Sequence, residues 1–195
     1  MSDRTARVPG PATDRTRIRR HADRAVPDRI EEFLLAGRVA HVALVEAGAA
    51  RLIPFLYHYE TGHIYIHGSP ANATISMLGD GREVTVAVTD LLELVASKTA
   101  SNHTANYRSV VAFGRGRPVE DVTEKRRILD AMTARYFPGR ATPADYAPAT
   151  DDEFRKMGLI DIDIDEASAK MRDMDPMGPG DSDPSVAGSA FRRPA

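Results

Sequence analysis

The 195-residue chain has no cysteine and no tryptophan. The first absence removes disulfides, thiolate metal centres, iron–sulfur clusters and a cysteine nucleophile together, and it fits a reducing, cytoplasmic setting. An excess of charge of either sign is also missing. With 26 Lys and Arg against 28 Asp and Glu, the net charge of −2 gives no general attraction for nucleic acid or for an anionic membrane. No apolar run approaches a membrane span, and the basic N-terminus MSDRTARVPGPATDRTRIRRHADRA carries no hydrophobic stretch behind it for a signal peptide. The expectation is a cytoplasmic protein whose partners include neither nucleic acid nor membrane.

What is present suits one domain: 42% of the residues are apolar, ordinary for a chain with a full core. Residues 1–25 are rich in Arg, Asp, Thr and Pro with little to bury, and residues 174–195 are similar, so both read as flexible tails around a compact unit at 26–173. Within that unit, DRIEEFLLAGR reads as a short amphipathic helix stopped by Gly37. RVAHVALVE, ARLIPFLYHY and HIYIHG follow as antiparallel neighbours joined by short turns. The stretch HIYIHGSPANATISML, residues 63–78, changes from period two to helical spacing, with Ser69 as cap and Pro70 in the first turn.

EVTVAVTD, ELVASKT and YRSVVAFGRGRPVE continue the strand pattern, and a helix carrying Ile128, Leu129, Met132 and Tyr136 starts at Asp121. GLIDIDIDE alternates without a fault, placing Ile160, Ile162 and Ile164 on one face and Asp161, Asp163 and Asp165 on the other. Many short strands with few interposed helices argue for a mainly β protein, a small barrel of about six to seven antiparallel strands with flanking helices.

Chemistry is harder to read. His63 and His67 have zinc-ligand spacing for a helix, but on a strand four residues span roughly 13 Å, too far for one ion, so no metal is expected. No nucleophile turn surrounds any serine. The Asp161, Asp163 and Asp165 series reads as a solvated face, and Arg115 and Arg117 as solvated cations. Between two strands, KTASNHTANYRS gathers Lys98, His103, Tyr107 and Arg108, the donor-rich kind of loop that lines a pocket. The Gly68–Ser69 turn opens onto a helix start, which favours a phosphate or carboxylate.

Together IPF, IYIHGSPA, NYRSV and EASAK, in this order and spacing, resemble the pyridoxamine 5′-phosphate oxidase-like flavoprotein superfamily, in its branch related to nitroimidazole-resistance proteins. The resemblance runs from about residue 19 to residue 173. It implies an FMN-binding split β-barrel with the cofactor in a groove between two subunits of a homodimer. It places Gly68 and Ser69, with help from Lys98, at the flavin phosphate, Ile53 and Pro54 along the isoalloxazine ring, Asn72 among the cofactor-binding residues, and His67 at cofactor or substrate. His103, Tyr107 and Arg108 become candidates for substrate contact, and no catalytic acid or base is assigned. The chain departs from the pattern at Ala73, where relatives carry a cation, and at Lys98, where arginine is usual.

The implied function is an FMN-dependent oxidoreductase acting on a small organic acceptor. The alternative is a binding protein that sequesters flavin, deazaflavin or haem without turnover.

Overall fold

Alternating apolar segments from the whole chain pair into one antiparallel sheet, in a computed structural model that describes residues 13–195. The tail expected over residues 1–12 lies outside the described residues. Helix α1 (Ile30–Ala36) precedes the hairpin β1 (Val39–Glu46) and β2 (Ala49–Leu56), then β3 (His58–Glu60) and β4 (His63–Gly68). After α2 (Ala73–Leu78) come the long strands β5 (Glu83–Ala96) and β6 (Thr104–Pro118), helices α3 (Val122–Tyr136) and α4 (Asp151–Lys156), β7 (Gly158–Arg172) and the short β8 (Phe191–Pro194). The strand order is β2-β1-β5-β6-β7-β4-β3, with β8 on β5.

The sheet is mainly filled from one face. Ala40, Val42 and Leu44 of β1 pack there with Val84, Val86 and Val88 of β5, Ile64 and Ile66 of β4, and Ile160, Ile162 and Ile164 of β7. Phe33 and Leu34 of α1 and Ile75 and Leu78 of α2 plug this core. A smaller cluster of Tyr65, Ile128, Met132 and Leu159 sits on the other face under α3.

The sheet does not close. β2 and β3 are its two edges, yet only Tyr57 separates them in sequence, so the edges meet at one corner and diverge from it. That divergence is the split of the barrel. The expected strand ARLIPFLYHY breaks at this corner because the Tyr57 N–H donates to Tyr136 Oη of α3 instead of to a neighbouring strand. Tyr57 is fully buried, and its hydroxyl donates to the Leu34 carbonyl at 2.5 Å, tying the corner to α1. Tyr57→Phe leaves that buried carbonyl one donor short and is expected to cost about 1–2 kcal/mol, a fall of about 2–8 °C in Tm by calorimetry.

Two other differences from the sequence reading have plain causes. EVTVAVTD and ELVASKT form one strand, because a register shift between Leu91 and Glu93 lets β5 keep pairing with β6 past the polar Thr89 and Asp90. In the C-terminal segment, residues 191–194 pair with β5 at Glu93–Ala96, on the side that β1 leaves free beyond Val88.

Candidate functional site

The expected ring-side residues Ile53 and Pro54 lie on the edge strand β2, at the split. In β3 and β4, His58 pairs with Tyr65 and Tyr59 with Ile64. Continued back past Tyr57, that register would set residues 54–56 of β2 alongside 67–69 at the end of β4. No ladder joins β2 to β4, although the two approach each other. An edge strand with unpaired backbone groups tolerates Pro54 and offers donors and acceptors to a flat ligand. On the outward face of the same strands, Leu52 and Leu56 are exposed by 63% and 50%.

His67 stands at this opening. It is solvent-accessible, and among the described residues its imidazole has no hydrogen-bond partner. Partial desolvation by the surrounding protein lowers its pKa, so the ring is neutral near pH 7 with a nitrogen lone pair available.

The turn after His67 is shaped by close packing. Gly68 faces Gly158 across β4 and β7, and Ile75 of α2 lies over both; a Cβ on Gly158 would stand 2.6 Å from Ile75 Cγ2. The helix expected from Pro70 starts at Ala73, and the expected cap at Ser69 is corrected: Asn72 is the cap, accepting from the Thr74 N–H at 2.9 Å. Ser69 Oγ instead accepts from the Ala71 N–H, holding the turn in front of the helix. With Ile75 fixed by the glycine pair, the helix has room only for the later of two competing cap residues.

The loop residues do not converge on this turn within one chain. Gly68 lies opposite Gly158 and Pro118 opposite Ile160, whereas Lys98 follows β5 beyond the Val95–Thr104 pair, at the other end of β6. The 15 residues of β6, a path of roughly 45 Å along the strand at about 3.3 Å per residue, lie between the two ends. A site using both Ser69 and Lys98 therefore needs a second copy of the chain.

The substrate-contact candidates are dispersed as well. Lys98 Nζ donates to the Asp183 carbonyl, and His103 Nδ1 lies 3.1 Å from the Ala100 carbonyl. Arg108 Nε donates to Asp90, its partner in register, at 2.7 Å. Tyr107 projects to the opposite face of β6 from Arg108.

The acidic face of β7 is more engaged than its alternation implies. Asp161 contacts His63 Nδ1 at 2.8 Å and Asp163 accepts from Arg117 at 2.7 Å, and both carboxylates are largely shielded from solvent. Among the described residues no group of three or more acidic or histidine side chains is placed to hold a metal ion. No helix among them is long and apolar enough to cross a membrane.

Two cations escaped the sequence reading. Lys125 and Arg155 line a cavity of about 330 Å³ together with Pro70, Ser76 and Gly158. Lys125 is buried, its ammonium donating to the carbonyls of Phe154 and Met157, which fixes the end of α4 beside the Gly158 strand start. Arg155 is largely exposed on α4. Neither position signals itself locally, because α3 and α4 reach the turn only through tertiary packing.

Comparison with known proteins agrees with this architecture. The flavocytochrome Anf3 from Azotobacter vinelandii is 26% identical over 94% of this chain and 85% of that chain, with a TM-score of 0.80. A FAD and haem binding protein from Mycobacterium smegmatis is 28% identical over 86% and 81%, with a TM-score of 0.75. A candidate 5-nitroimidazole antibiotic resistance protein from Bacteroides thetaiotaomicron, 21% identical over 75% and 86% with a TM-score of 0.63, shares the fold. No curated protein sequence matches the chain. Residues 27–171 match the family model described as pyridoxamine 5′-phosphate oxidase, and the chain belongs to that family.

Proposed function

We propose that the protein binds a flavin nucleotide, FMN or FAD, at the split of the barrel and works as a homodimeric oxidoreductase on a small organic acceptor. The observation that carries this reading is the free edge of β2, which holds Ile53 and Pro54 and approaches β4, the strand of His67 and Gly68, with no ladder between the two. Such an edge fits a planar heterocycle, which takes backbone hydrogen bonds on its rim and apolar contact on its faces. Resemblance to a flavocytochrome and to a FAD and haem binding protein at 26% and 28% identity supports a flavin, with or without haem.

When bound, the flavin supplies the hydride or electron chemistry. The residues of this chain orient it and tune it. The phosphate end is the weaker part of the fit, since Ala73 offers no charge and Arg51 of β2 is engaged by Glu46. Arg155, beside Pro70, is the exposed cation best placed to compensate.

A second reading is favoured by a specific observation. The neutral His67 imidazole, without a partner among the described residues, would hold a haem iron, as an alternative to or alongside the flavin. Deazaflavin would use the same edge as flavin.

The test is titration of the purified protein with FMN, FAD, riboflavin and haemin, followed by visible absorption and by melting temperature. A flavin nucleotide at about 100 times its Kd should add about 2.7 kcal/mol, or roughly 5–11 °C in Tm, with riboflavin weaker. His67→Ala should abolish the haem spectrum and spare the flavin one. A Tm indifferent to every ligand would overturn the proposal.

A further inference from the structure

The strongest unexplained feature is at the far end of β5, where the C-terminal segment returns across the sheet. Ser97 is 95% buried by its 5% exposure, and Gly178 packs directly on it: a Cβ there would stand 2.3 Å from Ser97 Oγ. Asp181 is seated in this corner. One of its oxygens accepts from Ser97 Oγ at 2.8 Å and from the Lys98 N–H at 2.7 Å, and the other accepts from the Gly178 N–H at 2.6 Å. The Lys98 ammonium donates to the Asp183 carbonyl at 2.7 Å, and Thr99 Oγ1 to the Pro179 carbonyl at 3.2 Å.

The Lys98 N–H, the buried Ser97 hydroxyl and the adjacent Lys98 ammonium stay with β5 and are donors that would hold a phosphoryl oxygen, whereas the Gly178 N–H belongs to the returning segment. Here the chain supplies the anion itself. Burial pushes the Asp181 carboxyl up, but donation from Lys98, Ser97 and Gly178 outweighs it and holds the pKa below the usual carboxylate range.

The segment is fastened at its two ends by contacts that do not involve Asp181. Where it leaves β7, Asn106 accepts from the Met174 N–H, and Arg172 donates to the Met174 carbonyl. Where it returns as β8, Arg192 pairs with Glu93, Asp173 and Asp175. Between these anchors Met177 and Val186 are exposed, so polar contacts centred on Asp181 hold the middle, and that part can open without disturbing the core.

We propose that the turn of residues 97–99 is an anion seat that the chain fills with its own Asp181 and yields to a phosphoryl group, so that the C-terminal segment regulates the Lys98 side of the cofactor site. The regulatory half rests on the reading of Lys98 as a phosphate contact. The seat itself does not, and it is tested without flavin.

Full-length protein and Asp181→Ala are titrated with inorganic pyrophosphate by calorimetry, with hydrogen exchange read at residues 97–99. Removing the internal carboxylate should tighten pyrophosphate at least tenfold, and adding Lys98→Ala should reverse the gain. Asp181→Asn, which keeps the side chain's size, serves if the alanine variant does not fold. Equal affinity in wild type and variant, or a gain insensitive to Lys98→Ala, overturns the seat. A parallel tenfold gain for FMN over riboflavin in Asp181→Ala assigns it to the nucleotide phosphate, and a gain for pyrophosphate alone overturns the regulatory half. Failure of wild-type protein to bind any flavin would sink the cofactor reading and leave the pyrophosphate result standing.

Discussion

Gly114→Ala is expected to lower the Tm by about 6–12 °C. The new Cβ would stand 2.1 Å from the Asp163 carbonyl oxygen and 3.0 Å from its carbon, both backbone atoms of the neighbouring strand. A flexible side chain could swing away from such a contact. β7 cannot, because it is paired with β6 on both sides of this point, from Tyr107 through Pro118. Overpacking of this kind costs about 3 kcal/mol, at 2–4 °C per kcal/mol for a chain of this size. An unchanged melting temperature would show that the ladder yields here.

The consequence reaches the site, since Gly114 adjoins the register shift between β6 and β7. Phe113 pairs with Glu166 and Gly114 with Ile164, leaving Asp165 as the extra residue. Before the shift Ile160, Ile162 and Ile164 face the core, and after it Ala167 and Ala169 do. A strained bulge would disturb the strand that aligns β4 and presents His67.

The same bulge marks how far the sequence could be read. GLIDIDIDE announces its strand and its core face, because a half-buried strand must alternate. EASAK keeps an alternating pattern but in the opposite phase, and an extra residue in one strand is visible only against its partner. The family resemblance was legible in IPF, IYIHGSPA and NYRSV, since their order and spacing survive without knowledge of contacts. Less legible was the start of α2: Ser69 and Asn72 are both good caps, and the choice falls to Ile75 packing over Gly68 and Gly158 from separate strands. Asp181 and Lys125 were silent for a related reason. Their partners lie 83 and 32 residues away, and nothing local marks a carboxylate that accepts from Lys98 or an ammonium that donates to Met157.

The double substitution Leu52→Glu with Leu56→Glu is expected to convert the proposed dimer to monomer and to remove cofactor binding with it. The inner face of β1 forms the core, and on the outer face of the hairpin Val39 pairs with Leu56, His41 with Pro54, Ala43 with Leu52 and Val45 with Ala50. Val39, Val45, Leu52 and Leu56 remain exposed by 37%, 64%, 63% and 50%, an apolar surface interrupted on β1 by His41. An exposed patch of this kind marks an interface. A second copy is also what the separation of Ser69 from Lys98 by the length of β6 requires, if both serve one ligand. Half-exposed leucines contribute roughly 1.5 kcal/mol each on burial, so four per dimer replaced by charges should weaken association by at least about a thousandfold. Light scattering at micromolar concentration reads the mass, and the cofactor titration reads the site. A monomeric wild-type protein that still binds flavin would place the whole cofactor site within one chain, and a variant that remains dimeric would move the interface to another face of the barrel.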